Sequence, residues 1–305
     1  MKFEKEVMYV GNAPEHLVET TLKLRNLKIN ENRERLLNLI HNTNFKYYCS
    51  VCLIIRDENE YLEEWLRWHI GQGVEHFYIY DHGSKEPVKD FVMSLGTEVS
   101  EKITVIDWSG VHKDTQPEAY NDCLKRFKFE SRWIGFIDAD EQVRLKTGQL
   151  LPEFLRNYED YAGLFAVWLI YDANGQIKQS NAPLRQRFTH VNFNDEYASR
   201  MGKVFVQALL MREMVIHNGS PENGFCVVDE YKNKIAPYFL VCEKPSYDYI
   251  CVDHYYTKSY EEWLKKIDRG CGHAKYQRKY GEFFDINRDM EYCREDIVEG
   301  QKYNN

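Results

Sequence analysis

Four short apolar runs, each stopped by an acidic residue and followed by a longer stretch, constrain this chain more than any other feature. Residues 50–55 (Ser-Val-Cys-Leu-Ile-Ile) end at Arg56-Asp57-Glu58, and Phe77–Tyr80 ends at Asp81-His82-Gly83-Ser84. Ile103–Ile106 ends at Asp107, and Trp133–Ile137 ends at Asp138-Ala139-Asp140-Glu141. Between the first two runs, Leu62, Trp65, Leu66, His69 and Ile70 recur at helical spacing until Gly71 and Gly73 stop the helix. Pro87 opens a second helix through Leu95, and a third leads from Pro117 to Phe127. Strand and helix alternate, so the expected fold class is α/β: a mostly parallel twisted sheet flanked by helices. Such sheets bind ligands outside the carboxyl ends of their strands, where this chain carries acidic side chains.

The fourth strand end has the sharpest chemistry. Strand alternation points Asp138 and Asp140 the same way. Two such carboxylates form a clamp for Mg²⁺ or Mn²⁺, which take oxygen ligands and keep positions open for water and phosphates. A solvated strand end running into a turn would read the same way.

Composition narrows the class of function. The net charge of -8 argues against broad nucleic-acid binding, and 305 residues with 43% hydrophobic content can bury a substantial core. Cys49-Ser50-Val51-Cys52 has redox-like spacing but overlaps the first expected strand. Buried free thiols in a reducing compartment fit the scattered cysteines better. No signal peptide and no 18-residue apolar span is visible, so a cytoplasmic enzyme is expected, at the inner face of a membrane if it meets one.

The ordered set Arg56-Asp57-Glu58-Asn59-Glu60, Asp81-His82-Gly83-Ser84, Ala119-Tyr120-Asn121 and Asp138-Ala139-Asp140 resembles GT-A nucleotide-sugar glycosyltransferases of the family-2-like type. Glu64-Trp65-Leu66, His69, Gly73-Val74, Tyr120-Asn121-Asp122-Cys123, Trp168, Gly175, Lys203-Val204-Phe205-Val206, His217 and His254-Tyr255-Tyr256-Thr257-Lys258-Ser259 look closer to the family-92-like branch. The resemblance covers residues 47–272 and implies a GT-A (Rossmann-like) sheet with a mixed acceptor-side half. It also implies metal-dependent, inverting transfer of a sugar from a nucleotide-diphosphate sugar, a UDP-sugar, to a glycan or glycolipid acceptor.

The resemblance also assigns roles. Asp138 and Asp140 would hold Mn²⁺ or Mg²⁺ and through it the leaving diphosphate. His254 would complete the metal site; it precedes Ser259-Tyr260-Glu261-Glu262, a capping box that opens a helix, and imidazole suits Mn²⁺ better than Mg²⁺. Asp81 would accept a hydrogen bond from the base, with Arg56 and Glu58 lining base and ribose, although Asp-His-Gly-Ser is also a good Asx-turn sequence. Asn121 would face the ribose or diphosphate, or lie as a polar residue on a helix surface. Lys203 and Lys258 are candidates to neutralise the diphosphate and rank above Lys265, since lysines on a helix over 260–269 are usually solvated.

A catalytic base must reach the acceptor hydroxyl from the second half of the chain, where Asp172, Glu222, Asp229 and Glu230 lie. Asp172 ranks first because it ends the apolar run Leu164–Tyr171, but Asn-Gly just beyond it equally suggests a hairpin turn. His217-Asn218-Gly219 has the same ambiguity.

The expected organisation is an N-terminal extension (1–46) packed on the domain, the GT-A domain (47–272) and a helical, partly basic tail (273–305). In the tail, Lys275, Arg278, Lys279 and Arg288 interleave with Tyr276, Tyr280, Phe283 and Phe284. That mixture suits a solvated helix face, or peripheral contact with an anionic membrane. Two other functions suit a chain of this class less well. A sugar nucleotidyltransferase usually has a glycine-rich phosphate loop after its first strand, and Arg56-Asp57-Glu58-Asn59 contains no glycine. A non-catalytic carbohydrate-binding protein on a GT-A frame would have no need to keep Asp81, Asn121, Asp138, Asp140 and His254 together.

Overall fold

The computed structural model describes residues 15–192, 198–239, 241–270 and 277–293; Cys271, Lys275 and Tyr276 lie outside them. A 28-residue helix α1 (Glu15–Asn42) precedes β1 (Tyr47–Ile55), α2 (Asn59–Gly71), β2 (His76–Asp81), α3 (Val88–Ser94), α4 (Thr97–Ser100) and β3 (Ile103–Asp107). Next come α5 (Thr115–Phe127), β4 (Ser131–Phe136), β5 (Glu141–Leu145), α6 (Leu151–Leu155), β6 (Gly163–Ile170), α7 (Leu184–Arg187) and β7 (Gly202–Gln207). The remaining elements are β8 (Met211–Met214), β9 (Gly219–Pro221), β10 (Val227–Val228), β11 (Lys234–Ile235), β12 (Ile250–His254), α8 (Tyr260–Arg269) and α9 (Glu282–Ile286).

Strands β4, β1, β2 and β3 lie side by side and parallel. The register sets Ile55, Asp81 and Asp107 in one row, so three strands end level. From β1 the chain moves outward through β2 to β3 and then crosses back to place β4 on the other side of β1. That reversal opens a crevice at the carboxyl ends of β1 and β4, where α/β sheets bind ligands.

The second half is mixed. β7 inserts antiparallel between β4 and β6, and β12 runs parallel to β6 and antiparallel to β5. The fold is therefore α/β with a largely parallel, mixed central sheet flanked by helices, consistent with a Rossmann-like GT-A frame.

Alternation along the strands builds a core on each face of the sheet. Val51, Leu53, Phe77 and Ile79 pack with Leu62, Trp65 and Leu66 of α2 on one face. Cys52, Tyr78 and Tyr80 pack with Ala119, Tyr120 and Cys123 of α5 on the other, joined by Leu36 and Ile40 of α1. Cys49 and Cys52 thus occupy opposite faces and cannot form a redox pair. Within the N-terminal extension, Glu15–Asn42 form the continuous helix α1, where Arg33 donates to the Gly224 carbonyl at 2.9 Å.

Candidate functional site

The carboxyl ends of the central strands open into a cavity of about 690 Å³. Arg56, Asp57 and Glu58 after β1 line it, with His82 and Gly83 after β2, Tyr61 of α2, Lys258, and Lys265, Lys266 and Arg269 of α8. A smaller chamber of about 120 Å³ shares Arg56, Glu58, His82, Lys266 and Arg269 with it and adds Gln116, Asp138, Asp140 and Arg278. The two form one cleft at the crevice between β1 and β4.

Asp138 and Asp140 are held differently. Asp138 Oδ1 accepts from Gln116 Nε2 at 2.8 Å and Tyr120 OH at 3.0 Å, and its Oδ2 accepts from Lys203 Nζ at 2.8 Å. Its backbone is fixed as well: Trp65 Nε1 donates to its carbonyl at 3.0 Å, tying the floor of the cleft to the core. Asp140 is buried, with Oδ2 2.5 Å from Lys266 Nζ and Oδ1 3.7 Å from His254 Nε2. The β5–β12 ladder makes this meeting possible, because Glu141 pairs directly with His254 and Tyr255 N donates to the Asp140 carbonyl at 2.9 Å.

Burial alone would raise the Asp140 pKa, but Lys266, His254 and Lys258 overcome it and hold the carboxyl well below the usual range. Burial lowers His254, which Asp140 only partly offsets, so its imidazole keeps a lone pair at neutral pH. Burial also lowers Lys266, to about 8, which leaves it cationic at neutral pH. Lys258 Nζ stands 4.0 Å from both Asp140 Oδ2 and Glu58 Oε1, and Arg269 Nη1 stands 2.9 Å from Glu58 Oε1. Lys258 has φ +54° and Asp57 φ +52°, so two non-glycine residues of the cleft sit in the left-handed region.

Divalent metal fits this arrangement in a limited way. Among the described residues no three His, Cys, Asp or Glu side chains converge as a ready cluster. Asp140 Oδ1 and His254 Nε2 do converge: their 3.7 Å separation is less than the span of two metal bonds of about 2.1 Å each. Two protein donors with phosphates and water in the other positions suit Mg²⁺ or Mn²⁺, which are often bound through one or two carboxylates plus substrate phosphates. Asp138, already holding Lys203, Gln116 and Tyr120, is not aimed at the same point by any contact in the structure.

Arg56, Glu58, Asp138, Asp140 and Lys258 line the cleft, and His254 stands beside Asp140. Other expected residues are used elsewhere. Asp81, expected at the base, accepts from the backbone N–H of Ser84 at 2.9 Å and Val88 at 3.0 Å, closing its turn and capping α3. Asn121, expected at the ribose or diphosphate, clasps α5 to β8 through the backbone N–H and carbonyl of Met214 at 2.9 and 2.8 Å. Lys203, expected to neutralise diphosphate, is fully buried against Asp138 and also lies 3.8 Å from Glu141.

Asp172 accepts from Asn174 N at 2.8 Å in an Asx turn, with Asn174 and Gly175 both at positive φ. Burial raises its pKa, but it lines neither chamber. Asp229 and Glu230 also turn to backbone amides: Asp229 accepts from Tyr231 and Asn233, and Glu230 from residues 248–250. His217, half-buried beside Trp168, donates from Nδ1 to the Gly202 carbonyl at 3.0 Å and is lowered by burial to about 3.

Lys266 is the main residue that the sequence reading missed. It lies three positions after Trp263 and four after Glu262, on the buried stripe of α8, so a lysine there cannot belong to the solvated face. That spacing is visible in the sequence. Arg269, one turn further on, and Gln116 and Tyr120 of α5 carry no comparable signal.

The family profile of glycosyltransferase family 92 matches residues 47–270. A glycosyltransferase family 92 protein of Oryza sativa subsp. japonica is 31% identical over 108 residues, 35% of this chain and 18% of its own length. One from Ricinus communis is 31% identical over 107 residues, 35% of this chain and 19% of its own. A galactan beta-1,4-galactosyltransferase of Arabidopsis thaliana is 25% identical over 153 residues, 45% of this chain and 29% of its own. The chain thus spans under a third of each of these relatives.

Proposed function

Because this chain belongs to glycosyltransferase family 92, we propose that it moves a hexose from a uridine-linked nucleotide-diphosphate sugar to a glycan or glycolipid acceptor, with inversion. One observation carries the reading: Asp140, His254, Lys258 and Lys266 converge at strand ends beside a cavity of about 690 Å³. That volume suits a nucleotide sugar. Asp140 and His254 would hold Mn²⁺ or Mg²⁺, which stabilises charge on the departing diphosphate. Lys258, Lys266 and Arg269 present cations to the phosphates, and Tyr61 and His82 line the larger chamber. The likeness to the Arabidopsis galactan galactosyltransferase supports a hexose donor and a glycan acceptor.

Among the described residues no helix is long and apolar enough to cross a membrane. The free thiols among the described cysteines support a reducing, cytoplasmic setting, and Arg278, Lys279 and Arg288 support peripheral contact with an anionic surface.

The test is a thermal-shift panel of uridine, guanosine and cytidine diphosphate sugars with and without Mn²⁺, since a ligand of the native state raises the melting temperature. Uridine sugars should shift the transition most, and only with metal. His254→Ala, still folded, should need more Mn²⁺ for the same shift. Metal-independent shifts, or an unchanged Mn²⁺ requirement in the variant, would remove the metal reading.

A further inference from the structure

Asp140 is already neutralised before any ion arrives. Lys266 Nζ sits 2.5 Å from its Oδ2, is fixed a second time by the Tyr256 carbonyl at 2.7 Å, and lies 4.3 Å from the centre of the Tyr256 ring. Lys258 Nζ stands 4.0 Å from the same oxygen and 4.4 Å from the centre of the Tyr61 ring. A bare divalent ion at Asp140 Oδ1 and His254 Nε2 would meet two buried ammonium groups at the same carboxylate, while Glu58, 4.0 Å from Lys258, is already shared with Arg269 at 2.9 Å. An ion bound to UDP arrives with a net negative charge, and one bound to a nucleotide sugar, whose diphosphate diester carries two negative charges, arrives neutral overall; in both, phosphate oxygens come with the ion and the same ammonium groups attract them. Their effect thus passes from repulsion of the bare ion to attraction of the phosphates that carry it.

We propose that Lys266 and Lys258 make Asp140 and His254 a site for a metal–diphosphate complex and exclude the free ion, so that metal and donor bind as one unit. The inference rests on the proposed nucleotide-sugar reading and adds an order of binding to it. Lys266 and Lys258 act here as selectivity residues, neither of them a metal ligand.

Calorimetry on the full chain tests it with Mn²⁺ alone and with UDP at saturating Mn²⁺. Wild type should bind Mn²⁺ alone weakly and UDP with Mn²⁺ much more tightly. Lys258→Met and Lys266→Met should each tighten free Mn²⁺ about tenfold and weaken UDP with Mn²⁺ by a similar factor, the scale of one lost charge at about 4 Å in a screened site. Lys266→Arg, which keeps the charge, should keep the wild-type order. If Lys266→Met fails to fold, Lys258→Met decides, because Lys258 makes no hydrogen bond to Asp140. Both affinities falling together, or neither changing, would overturn the inference and leave the lysines as props for Asp140. If wild type binds no UDP even with Mn²⁺, the proposed function fails first.

Discussion

Asp138 and Asp140 share a direction but not a task. Asp138 is satisfied by three side-chain donors from α5 and β7, whereas Asp140 is buried between cations with one oxygen facing His254. Asp140→Asn should therefore remove Mn²⁺-dependent UDP binding and cost some stability, though less than alanine, because its amide oxygen can still accept from Lys266 while the charge is lost; calorimetry on the folded variant showing donor affinity equal to wild type would refute the assignment. Asp140→Ala should in addition cost about 3 kcal/mol or more in urea unfolding, because it leaves Lys266 buried without its carboxylate. For Asp81→Ala the structure predicts a loss of about 1–2 kcal/mol from the turn and the α3 cap, with UDP and pyrophosphate affected alike. A selective loss of uridine binding would restore its expected role at the base. The meeting of Asp140 and His254 was legible because a strand end and an ordered resemblance mark them. The structural contacts of Asp81, Asn121 and Lys203 were not, for a common reason: sequence shows a polar group but not the backbone amide or carboxylate that it serves.

At the scale of elements, α8 joins the sequence reading to the cleft. Its capping box is present as expected, with Glu262 N donating to Ser259 Oγ and the Glu262 carboxylate accepting from Ser259 N, and Glu262 also pairs with Arg187 in the interior. Ser259→Ala should cost about 1 kcal/mol. Since Lys266 and Arg269 project from the same helix, the substitution should also weaken UDP binding in proportion to the melting shift; a lowered melting temperature with unchanged affinity would uncouple cap from cleft. The four parallel strands and the helices α2, α3 and α5 between them were readable because each is defined by local periodicity and a local stop signal. The antiparallel insertion of β7 and the joining of β5 to β12 were not, since both depend on partners dozens of residues away that periodicity cannot name.

For the whole molecule, buried histidines set the acid limit. His69 bridges α2 to β5, with Nδ1 2.8 Å from the Trp65 carbonyl and Nε2 accepting from Val143 N at 3.2 Å, a geometry that only the neutral imidazole satisfies. Burial lowers it to about 4, the Trp65 carbonyl opposing only weakly. A depressed folded pKa gives stability that is complete above the unfolded value near 6.5 and is lost as pH falls towards 4. Between pH 7 and pH 5, urea unfolding should show a loss of about 2 kcal/mol from His69 alone, and His69→Gln should flatten that part of the profile. An identical pH profile in the variant would assign the acid limb to other groups.

The alternation of β12 has a last consequence. His254 turns toward Asp140, 3.7 Å away, while Asp253, one residue earlier, looks the other way and is clasped by Arg144 at 2.7 Å and Arg185 at 3.2 Å. A slip of one residue would exchange the two, bringing a carboxylate up against Asp140 and leaving two guanidinium groups with no anion between them. Asp253 thus works as a proofreading mark for its neighbour: it touches nothing in the cleft, yet it makes the wrong phase of the strand repulsive on one side and unpaired on the other.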